Sequence, residues 1–169
     1  MKKLIISLGM ICGLALAVHG QDVTKATCKL ESKSGSQVTG TVTFTKVGDE
    51  VQVVADITGL KPGKHGFHLH EKGDCSAADA ASAGAHFNPA QHKHGGPTTA
   101  ERHEGDLGNI ETDASGKTHL EWKGKMSLSG ANSIIGKSVV VHEKEDDLKT
   151  DPSGNSGARV ACGAIETAK

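Results

Sequence analysis

In the stretch His65-Gly66-Phe67-His68-Leu69-His70 two histidines stand two residues apart, with Phe67 and Leu69 interleaved. Residues two apart on a strand share a face. Read as a strand, His68 and His70 point the same way while Phe67 and Leu69 pack on the opposite side. Two histidines alone read equally well as the polar face of an exposed strand or as half of a metal site.

Around that stretch, short alternating runs recur along the chain. They predict strands at 22–32, 36–46, 50–58, 64–70, 105–112, 117–124, 137–143 and 159–165. Turn signals separate them at Ser34-Gly35, Gly48-Asp49, Lys61-Pro62-Gly63 and Ser115-Gly116. No run carries a 3.6-residue apolar period, so the fold class is all-β, a sandwich or barrel. The 22 glycines, the absence of Tyr, the single Trp and the three Phe agree, leaving a core of Val, Ile, Leu and Ala. Two stretches break the rhythm: 71–104, rich in Gly, Ala, Pro and His, and 143–158, rich in charge, Gly and Ser. Loops this long in a small domain are commonly functional.

Residues 1–20 read as a secretory signal peptide: Lys2 and Lys3, then an apolar run from Leu4 to Val18, then the small residues Val18 and Gly20 before Gln21. The run is short for a membrane span, so no membrane association is expected after leader removal. The remaining residues, 21–169, form one domain. Removing two lysines from 19 basic residues leaves 17 against 20 acidic ones, a formal charge of −3. Nothing in that balance makes a nucleic-acid footprint. Export implies an oxidising compartment. The three cysteines Cys28, Cys75 and Cys162 then leave one thiol unpaired; Cys28, inside an apparent strand, suits a small buried hydrophobe.

Of the ten histidines, most crowd between His65 and His103. His86, His94, His103 and Asp106 offer three nitrogens and a carboxylate oxygen, a set that satisfies tetrahedral zinc. Their spacings of eight, nine and three residues match no zinc finger. His142 ends the apolar run Val139-Val140-Val141 and joins a site only if the fold carries it to His68 and His70.

These residues fall within longer stretches: His65-Gly66-Phe67-His68-Leu69-His70-Glu71, Ala85-His86-Phe87-Asn88-Pro89, Lys93-His94-Gly95-Gly96-Pro97, Arg102-His103-Glu104-Gly105-Asp106-Leu107-Gly108-Asn109, Ile134-Ile135-Gly136, Val140-Val141-His142-Glu143 and Ala161-Cys162-Gly163. In order and spacing they resemble the copper–zinc superoxide dismutases over essentially all of 21–169. The resemblance implies an eight-stranded flattened Greek-key barrel of immunoglobulin-like sandwich architecture with two long functional loops. It implies one copper and one zinc per chain. His68, His70, His86 and His142 are then copper ligands; His86, His94, His103 and Asp106 are zinc ligands, with His86 bridging. It implies that His86 handles a proton and that Arg159 docks superoxide as it is converted to oxygen and hydrogen peroxide. Asp146 becomes the carboxylate linking His68 to His94. Cys75 pairs with Cys162, closing a long loop worth roughly 4–5 kcal/mol in the chain-entropy picture, and Cys28 stays free. His65 becomes a histidine that bonds backbone across the barrel. His92 and His119 have no family role and are expected on the surface.

The alternative is a periplasmic copper or zinc carrier on the same fold, which needs neither all four copper ligands nor Arg159. A zinc hydrolase needs an open coordination position, whereas this zinc set is closed. The leader suits a periplasm or secretion from another kind of cell. The resemblance allows a homodimer, although Lys72, Glu166 and Thr167 stand where animal cytosolic enzymes present more apolar interface side chains. Lys144 and Lys149 sit among acidic neighbours in the 143–158 loop, and a solvated mixed-charge loop explains them as well as substrate steering does.

Overall fold

On β1 (Lys25–Ser32), Ala26, Cys28 and Leu30 are buried and the residues between them are exposed. The same alternation places Val42 and Phe44 of β2 (Thr39–Val47) and Val51, Val53, Ala55 and Ile57 of β3 (Glu50–Thr58) inside. Period-two burial is what a strand with one wet face requires. The computed structural model describes residues 23–168; the expected leader at 1–20 lies outside the described residues. The remaining strands are β4 (Gly63–His70), β5 (Asp106–Thr112), β6 (Lys117–Gly124), β7 (Ser138–His142) and β8 (Arg159–Thr167). All eight expected strands are present. The last runs two residues further than its sequence pattern because Glu166 and Thr167 pair with Thr27 and Ala26. One 3₁₀ turn, Ala81–Ala83, has no counterpart in the sequence reading.

Every strand pairing is antiparallel, in the spatial order β5-β4-β7-β8-β1-β2-β3-β6. The chain leaves β4, returns as β7 beside it, and brings β8 back against β1, which is Greek-key connectivity. The two end strands, β5 and β6, are joined by the tight Asp113–Gly116 turn. They meet again where the buried hydroxyls of Thr112 and Thr118 lie 2.6 Å apart. The barrel is thereby nearly closed, which leaves little exposed strand edge. Phe44, Phe67, Leu30, Ile57, Leu69, Ile110, Ile134 and Ile165 fill it.

β4 and β7 depart from alternation. From His65 to His70, and along all of β7, every residue is buried. Phe67, Leu69, Val139 and Val141 face the barrel core. The opposite face is covered by the long loops: Ala80, Ala83 and Cys75 of the first pack on Val140 and Cys162, and the Cys75–Cys162 disulfide fastens that loop to β8. Among the described residues Cys28 is the free, buried cysteine, and burial pushes its thiol up to about 12.

Two bulges place functional side chains. On β5 one extra residue lies between the pairs Gly66–Asn109 and His68–Asp106. Gly108 takes a φ of +81 there, and a Cβ would lie 2.9 Å from Pro97. The bulge sets Asp106 opposite His68. On β8 the extra residue Val160 sets Arg159 opposite His142.

The Thr112–Thr118 bond closes the barrel in a place where water cannot replace a lost partner. Thr112→Val should lower unfolding free energy by about 1–2 kcal/mol, and adding Thr118→Val should recover most of it. Urea unfolding of the metal-free, disulfide-intact protein checks both; a double variant no better than the single one contradicts the pairing.

Candidate metal centre

Strand pleating aims His68 and His70 away from Phe67 and Leu69, toward the space beneath the loops, and the end of β7 delivers His142 to the same place. The loop after β4 is stitched back onto that strand by Phe87 N to Leu69 O, Leu69 N to Gly105 O and Gly105 N to Phe87 O, at 2.8–2.9 Å. His86 is thereby held against His70, and the two form an isolated antiparallel bridge. Two four-residue groups result: His68, His70, His86 and His142, and His86, His94, His103 and Asp106. Within each, one donor atom per residue lies within 4.8 Å of all the others, and every member is buried. These are the two sets drawn from the sequence, and His86 belongs to both.

The hydrogen bonds decide which nitrogen of each ring is left over. His68 gives its Nε2 proton to Asp146 Oδ2 at 2.8 Å, His70 its Nδ1 proton to the Gly84 carbonyl at 2.9 Å, and His142 its Nδ1 proton to the Gly157 carbonyl at 3.3 Å. Left behind are His68 Nδ1, His70 Nε2 and His142 Nε2, joined by His86 Nε2. All four are buried and have no hydrogen-bond partner. A buried polar atom without a partner is costly. Four of them converging in one place are what a cation with nitrogen ligands answers, and the outward bonds are the kind that orient ligating histidines.

The second group is closer still. Asp106 Oδ1 lies 2.8 Å from His86 Nδ1, 3.1 Å from His94 Nδ1 and 3.0 Å from His103 Nδ1, and the His86 and His103 nitrogens are 3.3 Å apart. Donors on a tetrahedral zinc with bonds near 2.0–2.1 Å stand about 3.3 Å from one another. Backbone amides of Gly95 and His103 hold Asp106 Oδ2 at 3.0 Å, leaving Oδ1 turned inward. No fifth side chain is needed to close the set.

Asp146 joins the two groups. Its Oδ2 accepts from His68 and its Oδ1 from His94 Nε2 at 2.9 Å, the link expected from the family resemblance. The Leu148 amide donates to the same Oδ1 at 2.7 Å, and Asn109 grips the Asp146 backbone at both N–H (2.8 Å) and C=O (2.9 Å). Asp151 accepts from the His94 amide at 2.7 Å. Gly154 permits the close approach: a Cβ there would collide with Asp146 Oδ1 and lie 2.8 Å from His94 Nε2. Asn109, Asp151 and Gly154 were not singled out from the sequence. Asn109 ends a quoted motif, and that was its only signal.

Burial pushes His86 down to about 4 and holds His70 and His142 well below the usual imidazole range. Neutral rings keep their lone pairs, the form that binds metal. For His94 burial also opposes charge, but Asp106 and Asp146 outweigh it and push the ring up to about 10. Burial alone would raise both carboxylates. Hydrogen bonds from His86 and His94 to Asp106, and from His68 and His94 to Asp146, override it and hold both well below the carboxylate range.

Arg159 is half-buried at the edge of the first group, and Nη1 donates to the Ala80 carbonyl at 2.8 Å. Its charge contributes to keeping His70 and His142 neutral. His65 bonds the His142 and Lys61 carbonyls at 3.0 and 2.8 Å and stays out of both sets, as expected. His119 is exposed beside Asp56. His92, expected on the surface, is half-buried, because its ring faces the Arg102 carbonyl and its amide is held by Asn88.

Known proteins are similar to this chain. The protein-family model described as copper/zinc superoxide dismutase matches residues 38–165. An extracellular copper–zinc superoxide dismutase of Caenorhabditis elegans is 46% identical over 142 residues, 80% of this chain and 64% of that protein. This chain therefore spans less than two thirds of the nematode relative. The extracellular copper–zinc superoxide dismutase of Drosophila melanogaster is 42% identical over 98% of both chains. The crystal structure of the clock protein EA4 superposes with a TM-score of 0.81 at 43% identity, covering 89% of this chain and 99% of that one.

The opposed histidine shifts, His94 up against His70, His86 and His142 down, should give the metal-free protein a stability maximum just above pH 6.5. His94, raised to about 10, contributes fully below its unfolded value of 6.5 and loses that contribution as pH rises toward 10. His86, lowered to about 4, must charge in the unfolded chain first, so it costs stability as pH falls from 6.5 toward 4. Denaturant midpoints of the metal-free protein across pH 4–10 check this. A monotonic profile contradicts it.

Proposed function

This chain belongs to the copper/zinc superoxide dismutase family, and from that membership and the two donor sets we infer that it converts superoxide to oxygen and hydrogen peroxide. The observation that carries the reading is the convergence of four buried, partnerless imidazole nitrogens, one of them on a ring whose other nitrogen completes a second set.

His68, His70, His86 and His142 would hold copper, and His86, His94, His103 and Asp106 would hold zinc. When bound, copper supplies one-electron exchange with superoxide, and zinc, which has no redox chemistry, supplies fixed positive charge. The protein does the rest. Two superoxide anions and two protons give one oxygen and one hydrogen peroxide. His86 Nε2 takes up one proton and delivers it to the departing peroxide, while Nδ1 stays with the Asp106 group and keeps the ring in place; water supplies the other proton. Arg159 docks the anion: a guanidinium stays charged at any working pH, and it stands beside rings that burial keeps neutral. Asp146 fixes the tautomers of His68 and His94 together.

Every donor comes from one chain, so the proposed catalytic unit is complete in a monomer. Lys72, Glu166 and Thr167, which stand where the family resemblance puts interface positions, are exposed polar side chains here. Export to an oxidising compartment belongs to the proposal too. The Cys75–Cys162 bond supports it, as do the names of the two extracellular relatives, which favour the extracellular space over a periplasm.

The test is superoxide decay with protein of known copper and zinc content. The loaded protein should accelerate decay catalytically; a loaded but inert protein points to a metal carrier. Arg159→Ala should lower kcat/KM about ten-fold or more and flatten its salt dependence at unchanged metal content. His86→Ala should weaken retention of both metals, and full activity with full zinc content would refute the shared-ring assignment.

A further inference from the structure

We propose that the β1–β2 turn, through Ser34 and Ser36, is the positioning element for Arg159. The proposal rests on the reading of Arg159 as the anion-docking group and adds what holds that group in place.

Arg159 begins β8 just before the extra residue of the bulge, Val160. A bulge interrupts the ladder, and backbone groups there need partners from elsewhere. The β1–β2 turn provides them. Ser34 Oγ donates to the Arg159 carbonyl at 2.9 Å. Ser36 Oγ and the Lys33 amide both donate to the Val160 carbonyl, at 2.5 and 2.9 Å. The turn itself is tightly set: Ser34 and Gly35 are both left-handed, with φ of 52 and 71, and the Ser36 amide closes it on the Lys33 carbonyl at 2.9 Å.

The other end of the arginine hangs from the same turn. Its guanidinium donates to the Ala80 carbonyl. Ala80 lies in the first long loop, and the Ser34 amide donates to Ala78 of that loop at 2.8 Å. The bonds close a ring: Ser34 to the Arg159 backbone, Arg159 Nη1 to Ala80, and Ala78 back to Ser34. The Cys75–Cys162 disulfide ties the loop to β8 at a point five residues before Ala80. The Ser34–Ala78 bond lies only two residues before it. One tether leaves a hinge, and a second close to the contact removes it. The long arginine side chain has much rotamer freedom to lose on docking an anion, and fixing both of its ends beforehand lowers that cost.

A merely structural role predicts something different. Ser34 is exposed and the turn covers little of the core, so removing its hydroxyls should leave the fold intact and act on anion affinity through Arg159.

The experiment uses the metal-loaded protein in four forms: unaltered, Ser34→Ala/Ser36→Ala, Arg159→Ala, and all three changes together. Binding of inorganic phosphate is measured by calorimetry, and kcat and KM for superoxide separately. The serine pair should weaken phosphate binding about three- to ten-fold, the scale of one or two lost hydrogen bonds, and raise KM at unchanged kcat and metal content. It should add nothing once Arg159 is gone. Ser34→Asn/Ser36→Thr, which keeps a donor at both places and suits the left-handed turn, should restore affinity. Unchanged phosphate affinity in the serine variant, alongside weakened affinity in Arg159→Ala, overturns the positioning role alone. So does an equal loss with and without Arg159. An Arg159→Ala protein that binds phosphate and turns over normally overturns the docking role on which the proposal stands.

Discussion

Six imidazoles and two carboxylates lie buried in one corner of this protein, and a protein interior does not tolerate that unless their lone pairs are answered. Backbone carbonyls and Asp146 answer one side of the rings of His68, His70, His94 and His142. The other sides face one another across gaps of cation size. The rest of the architecture keeps that arrangement from collapsing. The barrel supplies two rigid strands, β4 and β7, to carry three of the rings. The loops supply the others and cover the whole. His86 makes the two donor sets one object, because moving that ring disturbs both.

The loops are held by directed bonds more than by apolar packing. Asp146 spans His68 on a strand and His94 in a loop, and Asn109 of β5 grips its backbone on both sides. Gly154 gives that carboxylate room. Asp151 reaches from the second long loop to the His94 amide of the first. Fixed dipoles of this kind cost no reorganisation when a charge arrives or leaves.

Much of this was legible in the residues. Alternation located the outer strands, because one face of each is wet. It fails on β4 and β7, where the loops bury the second face; the histidines, not the period, marked β4. The zinc set was legible as residue types, but the copper set and the sharing of His86 came from the family resemblance. Spacings of eight, nine and three residues place nothing in space until a bulge at Gly108 sets Asp106 opposite His68 in the ladder. The Ala81–Ala83 turn left no trace because three residues have no period. Asn109, Asp151 and the serines of the first turn were silent for another reason. They act through hydrogen bonds to distant backbone, and no local pattern records a partner 125 residues away, as Arg159 is from Ser34.

The proposed function stands or falls with the sharing of the His86 ring by two unlike cations. Diffraction from metal-loaded crystals, with anomalous data on either side of the copper and zinc edges, addresses it directly. Copper should lie within bonding distance of His86 Nε2 and of the free nitrogens of His68, His70 and His142, and zinc on His86 Nδ1, His94, His103 and Asp106. Either metal sited elsewhere, or a His86 ring bonded to one ion while both sites are full, would contradict it.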